Sequence, residues 1–403
     1  MLPEARPEAF LLVSLSGRGL AQAAARAGRI AVGMDGFADR DTCDLAPLWQ
    51  RLPLDANGDL APLGLVDAAA RLSPAERCLG LVYGSGFEAQ PELLSRLACG
   101  RQLLGNPAEV LAESADPMRF ASLARRLGLP FPEVQSAPPA DPAGWLAKRA
   151  GGCGGIHVRE AVGSAARPGV YFQRRVDGTP CSLLFLADGR DIRAIGFNRL
   201  LPAPPQAPGR WAYAGAVALD DAPGGVGPAV QAAARALTGA LGLRGLNGID
   251  FVVNDSDWSL LELNPRPTAT LELWDAHPMP ALFDLHVQSC LGRLPVTLPK
   301  PEASRAVAVA YAGATLRVPA GFPWPDWSAD LPRMDTLLEP GDPVCTVHAT
   351  AADAGAAERQ ALEFRQRILD RLSRHAQVEA DRARLRSGRV SSTLSAITGT
   401  EAP

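Results

Sequence analysis

Apolar runs alternate with helix-like segments along the first part of the chain. The runs FLLVSL at 10–15 and RIAVGMD at 29–35 predict buried strands, and LAQAAARAG between them predicts a helix that stops at Gly28. The segment CLGLVYGSGFE at 78–88 repeats the pattern of a strand followed by a glycine turn. Such a start is typical of a doubly wound open sheet, whose ligands bind at the carboxyl ends of the strands. We therefore expect an N-terminal α/β domain over residues 1–112.

The central part of the chain has a different order of elements. Asp116 and Pro117 predict the cap and first turn of a helix that ends at Gly128. The stretch WLAKRAGGCGGIHVRE at 145–160 indicates a strand, a glycine-rich loop and a second strand. The other predicted elements are strands across 169–201, a long helix at 226–243, a strand pair at 247–264 and a helix at 282–292.

The C-terminal part reads as a small β-rich unit followed by a helix, over residues 301–375. AVAVAYAGATLRVP at 306–319 and PVCTVHATA at 343–351 predict strands, and the segment 353–375 predicts an amphipathic helix. The remaining residues, 376–403, are rich in Ser, Thr, Ala and Arg and are expected to form a flexible tail.

Composition narrows the class of protein. The 403 residues are 47% hydrophobic and 21% charged, which is typical of a globular protein. A net charge of −3 without a basic block argues against a nucleic-acid partner. The seven scattered Cys form no CxxC pair, which favours reduced thiols and a cytoplasmic protein. We expect no signal peptide and no membrane span, because no apolar run reaches about 18 residues.

The strand pair NGIDFVVNDSDWSLLELNPRP at 247–267 carries acidic residues among apolar ones. With a three-residue loop at Asp255–Asp257, Asp250 lies opposite Glu262, at the ~5 Å spacing of cross-strand pairs. Two buried carboxylates repel each other, so a divalent cation is their natural compensation. The alternative is a surface hairpin with a solvated acidic face, which the apolar flanking residues disfavour.

The same face of the hairpin carries further polar groups. Asn264 adds an amide oxygen to the two carboxylates, and oxygen-only ligands suit Mg²⁺, or Mn²⁺, held together with substrate phosphates. Arg266 lies further along this face and is expected to reach the anion that the metal also holds. The sequence therefore predicts a metal–phosphate site on this strand pair.

A glycine-rich loop follows Lys148 in KRAGGCGGIHVR. It is not a Walker A loop, because Gly-Lys-Ser/Thr is absent and a strand follows. Such a loop can fold over phosphates and donate backbone N–H groups, with Lys148 holding phosphate oxygens, or it can be an ordinary hairpin turn. His157 is either a phosphate or substrate contact or a structural histidine.

Two strand ends in the N-terminal domain carry polar residues. Gly17 and Arg18 follow the first strand, and they either bind substrate or simply form the turn into the helix. The segment DGFADRDT follows the second strand and brings together Asp35, Asp39, Asp41 and Thr42.

These motifs, in this order and at this spacing, resemble the ATP-grasp superfamily over roughly residues 10–350. SGRGLAQAAARAG with DGFADRDT is similar to the carboligase-like branch related to biotin carboxylase, which includes ATP-grasp ligases near methanofuran and tetrahydromethanopterin synthesis genes. The resemblance implies an α/β fold, α+β in the ATP-binding part. It implies an ATP-binding domain at 113–300 with a flap subdomain at about 125–175, between the N-terminal domain and the β-rich unit.

The resemblance also implies roles for individual residues. Asp250, Glu262 and Asn264 would hold one or two Mg²⁺, while Arg266 and Asn264 would act on the transferred phosphoryl group. The residues that would contact ATP are Arg119, Lys148, the flap glycines Gly151, Gly152, Gly154 and Gly155, and the adenine-framing segment Gln173, Arg174, Arg175 and Val176. That segment often presents a Glu in the superfamily, so QRRV is a departure.

The implied activity is that of an ADP-forming, ATP-dependent carboxylate–amine ligase that works through an acyl phosphate. Its substrates would be a small-molecule carboxylate and an amine, for example glutamate added to a C1-carrier cofactor or its precursor. Biotin-carboxylase-like carboxylation through carboxyphosphate is one alternative, and a catalytically silent ATP-binding regulatory protein is another. The superfamily also suggests a homodimer.

Overall fold

The computed structural model describes residues 8–397 except 47 and 56, with side chains as far as 375. No helix within this range is long and apolar enough to cross a membrane.

A four-stranded parallel sheet forms the N-terminal domain, with strand order β3-β2-β1-β4. The predicted strand–helix–strand start is confirmed. The first helix begins at Arg18, two residues earlier than the apolar pattern predicts, because the Gly17 N–H is held by the Asp35 carboxylate at 2.8 Å. The elements are β1 Ala9–Val13, α1 Arg18–Arg26, β2 Ala31–Asp35, α2 Arg40–Leu45, β3 Trp49–Arg51, α3 Leu65–Leu72, β4 Cys78–Tyr83, α4 Pro91–Ala98 and α5 Ala108–Ala115.

A second four-stranded sheet forms a small subdomain, called here the flap, over residues 134–174. Its strand order is β5-β8-β6-β7, and all of its pairs are antiparallel. The helix before it has the predicted cap, since the Asp116 carboxylate accepts from the N–H groups of Met118 and Arg119. The elements are α6 Pro117–Arg126, β5 Val134–Gln135, β6 Trp145–Arg149, β7 Arg159–Glu160 and β8 Val170–Arg174.

An eight-stranded antiparallel sheet forms the centre of the molecule, in the order β13-β12-β9-β10-β11-β14-β18-β16. Strands of the β-rich C-terminal unit therefore continue the sheet that carries the strand pair with Asp250 and Glu262, called here the acidic hairpin. The elements are β9 Thr179–Asp188, β10 Ile192–Leu200, β11 Gly215–Leu219, α7 Gly227–Leu241, β12 Arg244–Asn254, β13 Asp257–Asn264, α8 Leu271–Trp274, α9 Leu282–Cys290, β14 Ser304–Tyr311, β15 Leu316–Arg317, β16 Ser328–Ala329, β17 Leu337–Leu338, β18 Pro343–Ala351 and α10 Ala354–Ile397.

The last helix is longer than the apolar pattern predicts. It continues beyond 375 to Ile397, through most of the segment expected to be a flexible tail. Residues 398–403 of that segment lie outside the described part of the chain.

The central strand β9 explains where the core lies. Leu184 and Leu186 pack in a cluster with α1 and α9, while Leu183 and Phe185 pack on the other face in a cluster with α7. Because both faces are covered, β9 is apolar almost throughout instead of alternating. This burial gives the neighbouring strand β12 a rigid base.

A buried asparagine joins the N-terminal domain to the central sheet. Asn106 is fully buried, and its amide nitrogen donates to Asn247 Oδ1 at 2.8 Å and to the Pro265 carbonyl at 2.9 Å. Its Oδ1 accepts from the Arg244 N–H at 2.8 Å. The polar end of the acidic hairpin is thus held against the N-terminal domain.

Candidate active site

The hairpin of β12 and β13 places Asp250 directly opposite Glu262, so this predicted pair is confirmed. The predicted three-residue loop is wrong. Asn254 pairs with Asp257, which leaves a two-residue turn in which Asp255 has a φ of 54°. A β-bulge restores the register, because the pairing shifts between Asp250 and Phe251 and leaves Leu261 as the extra residue. Without the bulge, a two-residue turn would place Asp250 opposite Leu261.

The amide of Asn264 lies between the two carboxylates. Its nitrogen donates to Asp250 Oδ2 and to Glu262 Oε1, both at 3.2 Å, and its oxygen accepts from Arg266 Nη2 at 2.9 Å. A half-turn of an amide exchanges its donor and its acceptor. Asn264 can therefore face the carboxylates with its donor, as here, or a cation with its oxygen.

The two carboxylates differ in their affinity for a proton. Burial, and then the charge of Glu262, hold the pKa of Asp250 well above its usual range. Burial also acts to raise the pKa of Glu262, but the hydrogen bond from Asp250 and the charge of Lys148 outweigh burial and lower it. The side chain of Glu262 is accessible to solvent, but protein atoms surround it on most sides, so it lies in a cleft. A bound divalent cation would compensate the negative charge of both carboxylates and make a proton on Asp250 unnecessary.

The donor set fits a cation that is also held by a ligand. Among the described residues no three His, Cys, Asp or Glu side chains converge as a complete metal site would require. The hairpin instead offers two carboxylates and one amide, which leaves positions for phosphate oxygens and water. That is the coordination typical of Mg²⁺ bound with a nucleotide.

Lys148 faces this hairpin from the end of β6 in the flap. Burial lowers the pKa of its ammonium group, and the Glu262 and Asp250 carboxylates oppose that shift. The ammonium also donates to the side-chain oxygen of buried Gln173. The structure thus brings Lys148 and Gln173 to the carboxylates that the sequence placed on β12 and β13.

The glycine loop of the flap packs closely against two other segments. A Cβ on Gly155 would lie 1.8 Å from the Trp211 carbonyl oxygen, and one on Gly151 would lie 2.6 Å from Ala89 Cα. Both glycines have a positive φ, which also favours the absence of a side chain. The carbonyl of Gly154 accepts from the Tyr213 N–H at 2.9 Å. The loop is therefore packed between the N-terminal domain and the segment before β11 in this structure.

Two further residues border the flap loop. His157 packs its ring against Gly152, and burial lowers the pKa of its imidazole despite the nearby Glu262 carboxylate. At the root of the flap, Arg149 forms an ion pair with Asp59 of the N-terminal domain. The flap is thus tied to the N-terminal domain by charge as well as by packing.

Arg266 is buried and has a partner that the sequence did not predict. It forms an ion pair with Glu88, whose other oxygen accepts from the Gly86 N–H at 2.8 Å. Glu88 follows the glycine turn after β4. Its place at the carboxyl end of a parallel strand was a signal in the sequence that could have identified it as a site residue. Beside Glu88 lies an open cavity of about 390 Å³, bordered on its other side by Gly151 and Tyr171 of the flap.

The remaining predicted nucleotide contacts lie elsewhere. Arg174 is exposed, donates to the Ala143 carbonyl at 3.1 Å and lies over the Trp145 ring. Arg175 pairs with Asp177 at 3.0 Å, and Val176 beside it is half-buried. The structure brings neither arginine to the Asp250–Glu262 pair.

Arg119 does not lie beside the hairpin carboxylates either. Its side chain is 64% exposed and pairs with Asp116 at 3.5 Å and with Glu113 at 3.9 Å. Its ion pairs are therefore local to α5 and α6.

Gly17 and Arg18 form the turn into α1, one of the two interpretations that the sequence left open. Arg18 is only 2% exposed, and its guanidinium donates to Asp330 Oδ1 at 2.6 Å, to Gln22 at 2.7 Å and to Glu272. Asp330 and Glu272 come from distant parts of the chain, so the sequence pattern could not have paired them with Arg18.

Comparison with known proteins identifies the central part of the chain. Residues 115–270 match the ATP-grasp domain family. No curated protein matches the sequence.

Solved structures match nearly the whole chain at low identity. One match is the biotin carboxylase domain dimer of 2-oxoglutarate carboxylase from Hydrogenobacter thermophilus, solved in complex with MgADP, ADP and bicarbonate. It is 13% identical to this chain with a TM-score of 0.65, and the match covers 89% of this chain and 90% of that one. The carboxyaminoimidazole ribonucleotide synthase from Aspergillus clavatus complexed with ATP is 13% identical with a TM-score of 0.63, over 91% and 99%. An L-amino acid ligase from Bacillus licheniformis is 12% identical with a TM-score of 0.65, over 89% and 97%.

The resemblance of the motifs to ATP-grasp proteins is therefore confirmed at the level of the domain and the fold. Identities this low show the fold and not the activity. Residues 115–270 are an ATP-grasp domain, within a chain that has the fold shared by biotin carboxylases and L-amino acid ligases.

Proposed function

We propose that this protein is an ADP-forming ligase that joins a small-molecule carboxylate to an amine through an acyl phosphate, using ATP and Mg²⁺. One observation carries the proposal. The hairpin presents Asp250, Glu262, Asn264 and Arg266 together, and the flap lysine Lys148 faces them. These groups supply a cation site, a guanidinium and an ammonium around one cleft, as phosphoryl transfer requires.

In the proposed reaction the substrate carboxylate attacks the γ-phosphate of ATP and forms an acyl phosphate and ADP. Magnesium, when bound, supplies charge neutralisation on the phosphates. Lys148 would hold nucleotide phosphate oxygens. Arg266, oriented by Glu88 and Asn264, would hold the transferred phosphoryl group in line. The amine then attacks the acyl carbon, and phosphate leaves.

The closed flap supports a reaction that must exclude water. The glycine loop contacts Ala89, Trp211 and Tyr213, so it is held at two sides of the cleft. An acyl phosphate is hydrolysed when water reaches it, and closure over the site protects it. No protein nucleophile takes part, because the carboxylate substrate is itself the nucleophile.

The substrates are proposed only by class and by the resemblance. A C1-carrier cofactor of tetrahydromethanopterin or methanofuran type, or its precursor, would be extended by an amino acid such as glutamate. A homodimer is also proposed, since the biotin carboxylase domain of 2-oxoglutarate carboxylase, whose fold this chain shares, was solved as a dimer.

Carboxylation through carboxyphosphate is a second candidate. It is favoured by the biotin carboxylase domain solved with bicarbonate, whose fold this chain shares. The sequence contains only two Lys, Lys148 and Lys300, and neither lies in a Met-Lys-Met-like setting for biotin attachment. ATP consumption that depends on bicarbonate and not on an organic carboxylate would support this candidate instead.

Glu262→Gln tests the assignment. ADP release is measured with Mg²⁺, ATP and a library of carboxylate and amine pairs. We expect Glu262→Gln to fold normally and to lose at least about a hundredfold in turnover. Asp257→Asn is the matched control, since Asp257 is exposed on the same strand, and it should keep full activity.

Two outcomes would contradict the proposal. Turnover that survives Glu262→Gln would show that the hairpin does not hold the metal. Tight ATP binding by calorimetry, with no turnover in any substrate mixture, would favour the silent regulatory protein.

A further inference from the structure

The two faces of the flap sheet have different surroundings. Side chains that pair across antiparallel strands lie on the same face, and along each strand they alternate between the faces. Trp145 and Phe172 share one face and pack in a small apolar cluster of the flap itself. Lys148 pairs with Tyr171, and Gln173 lies two residues further along the strand of Tyr171. The side chains of Lys148 and Gln173 therefore lie together on the face that is turned away from the apolar cluster.

This face opens into the cleft of the candidate active site. Tyr171, which lies directly opposite Lys148 in the flap sheet, lines the cavity of about 390 Å³ that Glu88 borders from the N-terminal domain. Glu88 in turn forms the ion pair with Arg266 at the end of the hairpin. The register of the flap strands thus places Lys148 beside the cleft, independently of the carboxylates that act on its charge.

Lys148 has a hydrogen-bond partner that is neutral. Its ammonium group donates to the side-chain oxygen of Gln173, and it forms no ion pair with any residue that the structure describes. A lysine can donate three hydrogen bonds, so two donors and the whole positive charge are left over. An ammonium group held in a cleft in this way is available to an anionic ligand.

The side-chain amide of Gln173 has no second polar contact within the described part of the chain. Gln173 is only 2% exposed, and its amide bonds to Lys148 alone. A lysine can only donate, so the oxygen of the amide must be the atom that faces the ammonium group. Buried polar groups are as a rule fully hydrogen-bonded, and this amide nitrogen is not. The placement of the lysine therefore explains Gln173 better than the stability of the fold does.

A carboxylate at position 173 would have a different effect on Lys148. Glutamate has the same length and would accept the same hydrogen bond, but it would also neutralise the ammonium charge. Its own negative charge would repel phosphate groups in the cleft. The uncharged amide of Gln173 holds Lys148 in place and leaves the charge of the lysine free.

We propose that Gln173 is a positioning residue, which holds the ammonium group of Lys148 towards the nucleotide phosphates without neutralising it. This inference rests on the proposed function, in which Lys148 binds those phosphates. It gives Gln173 a role that differs from the framing of adenine, which the resemblance implied.

Calorimetry with MgADP as the probe, without any second substrate, tests this role. The variants are Gln173→Glu, Gln173→Met and Gln135→Glu. Gln135→Glu is the matched control, because it makes the same change of charge on the neighbouring strand β5, where Gln135 pairs with Phe172 and so lies on the opposite face of the flap. We expect Gln173→Glu to weaken MgADP binding at least about thirtyfold and Gln173→Met only about fivefold, while Gln135→Glu should bind like the wild type.

A second comparison shows whether Gln173 acts through Lys148. Gln173→Met is combined with Lys148→Met, and the double variant should bind MgADP within about twofold of Lys148→Met alone. In the ligase assay, Gln173→Met should raise the KM for ATP about fivefold and change kcat by less than about twofold. A residue that only supports the fold would not show this dependence on Lys148.

Three results would overturn the inference. The first is MgADP binding by Gln173→Glu that equals that of the wild type. The second is an equal loss of affinity in Gln173→Glu and Gln173→Met, which would show that the charge at this position does not matter. The third is a full loss from Gln173→Met in the Lys148→Met background as well, which would mean that Gln173 contacts the nucleotide itself.

The failure of this inference can be told apart from the failure of the proposed function. If MgADP binding depends on Gln173 as expected but no pair of carboxylate and amine stimulates ADP formation, the role of Gln173 stands and the ligase activity fails. If such a pair stimulates ADP formation but MgADP binding does not respond to the charge at position 173, the ligase stands and the role of Gln173 is wrong. A wild type that does not bind MgADP at all would overturn both.

Discussion

Asp39→Asn is expected to stabilise the protein, and to do so increasingly as the pH rises. Asp39 faces Asp35, Asp41 and Asp330, with only Arg18 as a nearby cation. Its pKa rises from 3.8 to about 8, first because of burial and then because of these carboxylates. The folded protein therefore keeps a proton that the unfolded chain has already released.

The sign and size of the effect follow from this difference. Between about pH 4 and about pH 8 the folded state binds more protons at Asp39 than the unfolded state, so this group lowers stability as the pH rises. Roughly four pKa units at about 1.4 kcal/mol each set an upper limit near 6 kcal/mol. Because Asp39 is partly exposed, water screens it, and we expect about 1–3 kcal/mol in favour of Asn above about pH 8.

Urea unfolding measured from about pH 5 to about pH 9 checks this prediction. The wild type and Asp39→Asn should differ least at the acid end, and the gap should widen until about pH 8 and then stay level. Asp44→Asn makes the same change of charge at an exposed position of α2, the helix that Asp39 precedes, and it should follow the wild type throughout. A gap between the wild type and Asp39→Asn that does not change with pH would refute the reasoning.

Three further substitutions test other parts of the structure. Glu88→Gln removes the charge that orients Arg266, so we expect roughly a tenfold fall in kcat with little change in the KM for ATP; an unchanged kcat would contradict this role. Gly155→Ala places a methyl group 1.8 Å from the Trp211 carbonyl oxygen, so the flap should close poorly and the KM for ATP should rise about tenfold; urea unfolding should shift little if the effect is local. Asn106→Ala leaves buried donors and acceptors unpaired, and urea unfolding should show a loss of about 2–4 kcal/mol; a loss below about 1 kcal/mol would mean that water replaces the amide.

The acidic hairpin shows how far the sequence pattern reaches. Alternation along each strand correctly paired Asp250 with Glu262, but the assumed loop was one residue too long and the bulge was missed. The two errors cancelled. The turn is one residue shorter than predicted, and the bulge adds one residue to β13. Local patterns predict which face a side chain occupies, but they carry no signal for an irregularity in the pairing.

Contacts between distant segments were beyond the sequence pattern. Arg18 was expected either to meet a substrate or to form a turn, and its partners Glu272 and Asp330 lie more than 250 residues away along the chain. Glu88 was likewise paired with Arg266 only by the docking of two domains. Such pairs depend on how the sheets pack, and the pattern of a single sequence gives no measure of that.

The bulge at Leu261 has a consequence for changes in chain length. Side chains on a strand alternate, so deleting one residue between Phe251 and Leu260 would turn either Asp250 or Glu262 to the opposite face unless the bulge were also lost. Leu261 itself is the exception, because its removal would abolish the bulge and leave Glu262 opposite Asp250 in a regular ladder. The turn at Asp255 and Ser256 is exposed, and only position 255 is restricted, since its φ of 54° favours Gly, Asn or Asp. The hairpin should therefore tolerate substitution in its turn far better than a change of length anywhere except at the bulge.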